Sequence, residues 1–442
     1  DPLGLRTGQV LAGGPISVSG NILAHEAAML IANGTSGILD LTPAASSLYP
    51  AALTSLNGRP TVPVTIESNG GTITLTGQSF LHSAASLTAR SGGASAIGGT
   101  LNISSSRFVP PNTTSTSADI NLVVTQNGPI LSSSNPETTG TTPLDENENP
   151  VSGLGRIAVD SFGQGGFDSL RLGGNVRFQG DVSISMPGTI RLATGGVIET
   201  TGILNLSAAH IHAGQNFLPP SLPGEITEYF SSNIPGIGTQ PLSLLPTTGS
   251  GNISLNAKLI DLGTLSLQDI GNAAFNSPSG GIRGNGTLQA AANLAFTAGQ
   301  IHPTTSSTFN IFSYGDSNIS IAGGSARPLP FSAGGTLNIH AATISQNGTL
   351  RAPLGNINLG WNGSGTAPQN PVAGNLMAAP VTANLTLGTA SVTSTSAIDP
   401  ITGKPAILPY GISSDGNSWI DPSGFDITTT GPSDKDIKLS SQ

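Results

Sequence analysis

Few side chains in this sequence have types and spacings suited to chemistry, and they are scattered. His210 and His212, in AAHIHAG, stand two residues apart. In a strand, positions i and i+2 point to the same side, so two imidazole nitrogens could share a metal ion. No third ligand is visible nearby. If Ile211 faces a core, both rings face solvent, and a plain surface pair is the simpler reading. Asp145, Glu146 and Glu148, in PLDENENP, offer the oxygen ligands that Ca²⁺ takes. The run lacks the glycine turn and closing glutamate of an EF-hand loop, so we read it as a solvated loop. Asp160, Asp168 and Asp181 fall near strand ends, where an aspartate serves a corner N–H without binding any ligand.

Hydrolytic chemistry has no firmer footing. Polysaccharide cleavage needs two close carboxylates or a tight cluster, and no two aspartates are adjacent in this chain. Gly315-Asp316-Ser317 has the look of a serine-protease triplet, but no Gly-x-Ser-x-Gly elbow or histidine partner accompanies it. A chain corner explains it better. Trp361, Trp419, Tyr229 and Phe230 are scarce aromatics in insertion-like stretches; they suit stacking on sugars or on a neighbouring subunit. Packing of the inserts themselves is the plainer account. We therefore expect no catalytic, cofactor-binding or metal-binding residues and no enzyme activity.

The elements that would position any of these residues are short strands. Between Gly165 and Gly214 the pairs Leu170/Leu172, Val176/Phe178, Val182/Ile184, Ile190/Leu192 and Leu204/Leu206 alternate with polar residues. Period-two alternation marks half-buried strands. The segments begin about every seven residues, too close for ordinary hairpins. Taken three at a time they repeat at 20 or 21 residues: Leu172 to Leu192, Val182 to Ile203, and later Leu337 to Ile357. That period predicts a three-sided parallel β-solenoid, with one coil per three strands. Gly-Thr-Ile/Leu recurs at Gly71, Gly99, Gly188, Gly263, Gly286, Gly335 and Gly348. The expectation is that glycine takes a positive-φ or bridge conformation at each corner, threonine opens a strand, and the aliphatic side chain points inward.

Composition agrees. The 442 residues are 9% charged, 4% aromatic and 36% hydrophobic, with 59 Gly and 32 Pro. Regularly placed aliphatic residues can fill a thin core, and stacked like charges on the outside would repel. The net charge of −9 is spread thinly without a basic patch, which argues against a nucleic-acid partner. No apolar run reaches 18 residues, so no segment reads as a membrane-spanning helix. Cysteine is absent, as suits a chain that crosses an oxidising compartment unfolded. We read residues 1–442 as one continuous β-helix segment of a longer chain. Rhythm breaks place insertions at 43–68, 104–152, 215–250, 361–380 and 396–424, and the apolar 215–250 is expected to lie against a solenoid face. GILDL near residue 40 reads as a coil strand, and AHEAAMLIA as strand in preference to a two-turn helix.

Three segments carry a resemblance. GGFDSLRLGGNVRFQGDVSIS at 165–185, ATISQNGTLRAPLGNINLG at 342–360 and SVTSTSAIDPITGKPAILPYGISSDGNSW at 391–419 resemble a large region of filamentous-haemagglutinin-like exoproteins of the two-partner secretion route. The similarity covers most of residues 70–442. It implies a right-handed parallel β-helix, export through an outer-membrane partner transporter, and an extracellular fibre at the bacterial surface. Such fibres act in adhesion, aggregation and biofilm. Self-association end to end and contact with host or neighbouring-cell glycans or proteins are the partners this implies. No Arg-Gly-Asp tripeptide and no toxin module is recognisable. Two other readings fit a β-helix: a glycan-binding or glycan-cleaving tailspike, and the stalk of a contact-dependent toxin.

Overall fold

The computed structural model describes residues 5–42, 53–54, 60–110, 112–128, 153–217, 242, 244–372, 377–405, 411–412, 419–420, 428 and 435–442. Apart from one 3-10 turn at Val159–Ser161, the regular structure among them is all β. The fold is a parallel β-helix. The chain divides into two compact units, residues 1–108 with 127–171, and residues 109–126 with 172–442.

In the second unit the strands stack on three faces. The first face begins with Leu122–Thr125, Val176–Phe178 and Val197–Thr200, each parallel to the last. It continues through Leu265–Gln268, Gly286–Ala290, Thr308–Ser313, Thr336–His340 and Asn356–Leu359 to Asp436–Leu439. The second and third faces share long strands that turn a corner midway. Ile203–Ala213, Thr248–Leu262, Ile270–Gly284 and Asn293–Pro303 give their first halves to the second face and their second halves to the third. Val182–Ser185 opens the second face, and Asn318–Gly323, Thr343–Asn347 and Asn384–Leu387 extend it. Thr189–Leu192 opens the third, which continues through Thr349–Arg351 to Val392–Ser394.

The register makes each inward position a column of like residues. On the third face Ile190, Ile211, Ile260, Ile282, Ile301 and Leu350 lie one upon another, each 1% exposed or less. Phe275 and Phe296 stack on the second face with ring centroids 5.0 Å apart. A β-branched or aromatic side chain repeated along a ladder packs on its own copy, so the core is built from short-range stacking without a wide interior. Polar residues also enter the columns, Thr200 on Phe178 and Gln346 on Ile321. Gln346 is fully buried, and its amide takes the N–H of Gly348 at 2.9 Å and donates to Gly348 O and Val392 O, both at 3.1 Å.

Two faces each omit a strand. Val197 pairs directly with Ser266 on the first face, although the other two faces hold Thr248–Leu262 between those levels. In sequence, residues 214–247 separate Ile203–Ala213 from Thr248–Leu262. On the third face Ile301 pairs with Leu350 across the level of Thr308–Ser313 and Asn318–Gly323, and residues 324–335 take the strand's place. Closing the ladder across the gap keeps backbone groups paired that would otherwise be buried without partners.

In the first unit Ile16–Ala24 lies parallel to Thr72–Ser83, which pairs in turn with Gly99–Ser105 and Gly155–Ala158. Met29–Ile31 stacks on Ser86–Thr88. The strand reading of AHEAAMLIA holds for Met29–Ile31, preceded by a turn. GILDL departs from expectation: Ser36–Leu41 runs antiparallel to Pro60–Glu67, which also pairs with Leu53–Thr54. The excursion at 43–68 thus begins earlier and carries its own sheet. Residues 104–152 also differ, because Leu122–Thr125 is a coil strand with Leu122 and Val124 fully buried.

The corner glycines work by a different mechanism from the one expected. Of the Gly-Thr-Ile/Leu set only Gly286 has positive φ, 110°. At the others whose surroundings are resolved the reason is close approach. A Cβ on Gly99 would lie 2.0 Å from the carbonyl oxygen of Gly71, and one on Gly71 would lie 2.2 Å from that of Gly14. Coils touch backbone to backbone at these corners. Replacing Gly99 with Ala should therefore cost about 2–3 kcal/mol through forced backbone displacement. Gly315→Ala, with φ 72° but nothing within 4 Å of a new Cβ, should cost about 1–2 kcal/mol from the left-handed conformation alone. Urea unfolding of the two variants measures the order; equal losses would remove the close-approach account.

Candidate functional site

The densest group of titratable side chains stands on the outside of the third face. Register places Arg191, His212, Asp261, Arg283 and His302 in one outward column, on successive strands. Asp261 is 3% exposed, and three bonds converge on it. Arg283 Nε and Nη2 donate to its two oxygens at 2.8 and 2.6 Å, and His210 Nε2 lies 3.1 Å from Oδ2. Burial pushes the Asp261 carboxyl up, but the hydrogen bonds from His210 and Arg283 outweigh it and hold the group below its ordinary value. The same bond raises Arg283.

His212 is buried, not solvent-facing as Ile211 at the core led us to expect. The cause is the chain that follows it. Residues 215–217 lie over the third face: Gln215 O accepts from His212 Nε2 at 3.2 Å, and Arg191 Nη2 donates to Asn216 Oδ1. The Phe217 ring sits 5.3 Å from His212 and beneath the Arg283 guanidinium at 5.7 Å. Burial, then Arg191, hold the His212 ring below its ordinary value against the opposing pull of Asp261. At the other end of the same excursion, Leu245 O and Leu244 O accept from Gln268 and Gln289 of the first face.

What this cluster can do chemically is limited by its satisfaction. Asp261 is 3% exposed and three bonds take most of its about four lone-pair sites, two of them from a guanidinium that stabilises its charged form. Among the described residues no group of three His, Cys, Asp or Glu is placed to hold a metal ion. Asp261 was the residue that spacing along the chain did not single out, since it lies 51 positions from His210. The signal was present in the coil register, which sets Asp261 beside His212.

The other candidates take local roles. Asp181 Oδ1 accepts the corner N–H of Ile203 at 2.9 Å, as expected, and Asp160 accepts that of Gly128 at 3.0 Å. Asp168 instead accepts the hydroxyl of its neighbour Ser169 at 2.8 Å. Gly315-Asp316-Ser317 is a corner, with Ser317 Oγ donating to Tyr314 O at 2.7 Å. Trp361 packs with Met377 against buried Phe312, Tyr314 and Ala379, so the stretch at 361–380 folds back on the first face. Asn370 secures it, donating to Gln289 Oε1 and to the Tyr314 hydroxyl at 2.7 Å each. Trp419 belongs to a two-residue strand paired with Gly411–Ile412. Asp145, Glu146, Glu148, Tyr229 and Phe230 lie outside the described residues. The one Asp-x-Asp spacing in the sequence, Asp434-Lys435-Asp436, ends on Asp436, which is exposed and 3.5 Å from Lys438.

No family model, no curated protein and no solved structure matches the chain. The likeness to filamentous-haemagglutinin-like exoproteins rests on the three sequence segments alone.

Four buried histidines, His212 among them, give the fold a pH signature. Burial, then Arg156, hold His82 down to about 4; its Nε2 lies 3.0 Å from the Arg156 guanidinium, whose N–H it accepts when neutral. Burial, helped by Arg283, holds His302 at about 4, and burial alone does the same to His340. An unfolded histidine titrates near pH 6.5, so the unfolded chain takes up protons first as pH falls. Stability from these rings is complete above about pH 6.5 and is lost on going down towards about pH 4. Depressed carboxylates such as Asp261 act only below their unfolded value of about 4. The melting temperature should fall steadily between pH 6.5 and 4.5, and a variant carrying His82→Gln, His212→Gln, His302→Gln and His340→Gln should show a flat profile there. An unchanged slope in that variant would refute the assignment.

Proposed function

We propose that this chain is a non-enzymatic structural and adhesive segment of a bacterial surface fibre, exported by an outer-membrane two-partner transporter. The observation that carries the reading is the division of labour in the second unit. Coils pair strand on strand, closing even across the two levels that lack a strand, while the described residues of the excursions leave the coil and fold back on its outside. A rigid scaffold with variable outer segments is how loops commonly carry recognition. The segment resemblance supplies the secretion route and the extracellular location as part of the same proposal.

End-to-end association belongs to this reading. The last described strands of the first and second faces expose inward-column apolar side chains, Leu387, Ile437 and Leu439, each between 40% and 45% open. An open strand edge with such residues is a template for a further layer. A further coil set on these strands would bury them by the same stacking that fills the columns beneath.

Electron microscopy of the native material tests the reading. Long thin fibres with an axial repeat near 4.8 Å, the strand spacing of one coil, are the expected result. Compact particles or short isolated trimers would remove the fibre reading and favour a tailspike.

A further inference from the structure

The second face of the second unit differs from its neighbours. From Asn205 to Thr386 its outward positions are Asn, Ser, Thr and Ala, and none is charged. Charges in this part of the chain stay at corners, as with Lys258, Asp269 and Asp316, or on the other faces. The described residues of the excursions are also elsewhere: Phe217 and Ser332 are bonded or packed on the third face, Leu244, Leu245 and Asn370 on the first. Among the described residues, none of an excursion packs on the second face.

Its side chains are ordered before anything binds. Asn252, Asn272, Asn293, Asn318, Thr343 and Asn384 form one column. Asn272 Nδ2 donates to Asn252 Oδ1 at 3.1 Å, Asn293 Nδ2 to Asn272 Oδ1 at 3.3 Å, and the Asn318 backbone N–H to Asn293 Oδ1 at 3.0 Å. A parallel column holds Asn276 Nδ2 on Asn256 Oδ1 at 3.0 Å. A primary amide has two N–H donors and an oxygen with two lone pairs. Where the ladder uses one of each, a second donor and a second lone pair remain for the outside. They recur about every 4.8 Å over the rows of Asn252, Asn272 and Asn293, and outward side chains in one strand stand about 6.8 Å apart. Side chains already fixed lose little entropy on contact.

We propose that this face binds an uncharged polysaccharide laid along the solenoid axis, a proposal that rests on the adhesive reading above. A neutral sugar chain presents hydroxyl donors and acceptors in a linear repeat and needs no counter-charge. An acidic polymer meets no cation on this face and a chain of net charge −9. A protein partner would find no apolar centre to exclude water, which protein interfaces require. Each sugar contact is weak without an aromatic platform, so affinity accumulates over many rows and depends on polymer length.

Affinity electrophoresis of the full chain through gels containing hydroxyethyl cellulose, dextran, mannan or a soluble β-glucan tests this. Polygalacturonate serves as the acidic comparison. Retardation by at least one neutral polymer is expected, insensitive to salt and absent with short oligomers of that polymer. Ala274→Arg and Ala295→Arg, each placing a bulky cation mid-face without touching the amide ladders, should weaken retention by about tenfold, a loss of about 1.4 kcal/mol. Phe331→Ser, on the excursion over the third face, should leave it unchanged. Circular dichroism checks that each variant folds, and the length and salt dependence of the unaltered chain stands even if one does not. Retardation by no neutral polymer, equal binding by the folded arginine variants, or loss of binding in salt would each overturn the proposal. So would a dimer by sedimentation that Ala274→Arg dissociates, since a second copy would then cover the face. Fibres that adhere to cells yet ignore every neutral polymer would overturn this assignment and leave the fibre reading in place.

Discussion

Everything in the second unit depends on one constraint: each coil must meet the next on three sides at once, at the fixed spacing of a backbone ladder. Side chains have little freedom to negotiate that distance. The molecule answers at the corners, where glycine lets coil backbones touch, and in the columns, where like residues pack on like. The isoleucine series from Ile190 to Ile301 is the clearest instance. A column tolerates isoleucine, leucine or phenylalanine because each neighbour is a near copy. It does not tolerate an extra atom between two corner carbonyls.

The same stacking governs the outside. Identical residues set one strand apart repel if charged and bond if they are amides or hydroxyls. Hence the asparagine ladders, and hence the order of the charged column on the third face, where Asp261 is followed by Arg283 and preceded by His212. Charge appears where an opposite or neutral partner occupies the adjacent level. Phe217 and its neighbours then cover that column and turn an outer surface into an inner one.

Much of this was legible in the chain. Strict alternation and the 20-residue return of Leu337 at Ile357 announced three-sided coils, and Ile211 was rightly placed in the core. What could not be read was anything set by a contact across coils. Gly99 needs Gly71 to explain it, and a single chain pattern suggests φ instead. Asp261 reaches His210 only through register, and His212 is buried by an excursion whose resting place no periodicity encodes. Leu122–Thr125 was hidden for a related reason, because its ladder partner at Val176–Phe178 lies some fifty residues on.

The omitted strands have an implication for how such a chain changes over generations. Because Val197 bonds straight to Ser266 and Ile301 to Leu350, the pairing of the coils does not pass through residues 215–247 or 324–335. Those stretches behave as cassettes. Their length and content can drift, recombine or be exchanged wholesale with almost no effect on the ladders, since lengthening a loop adds little closure entropy. Selection can therefore act on what the outside touches and on what holds the rod together as two nearly independent traits.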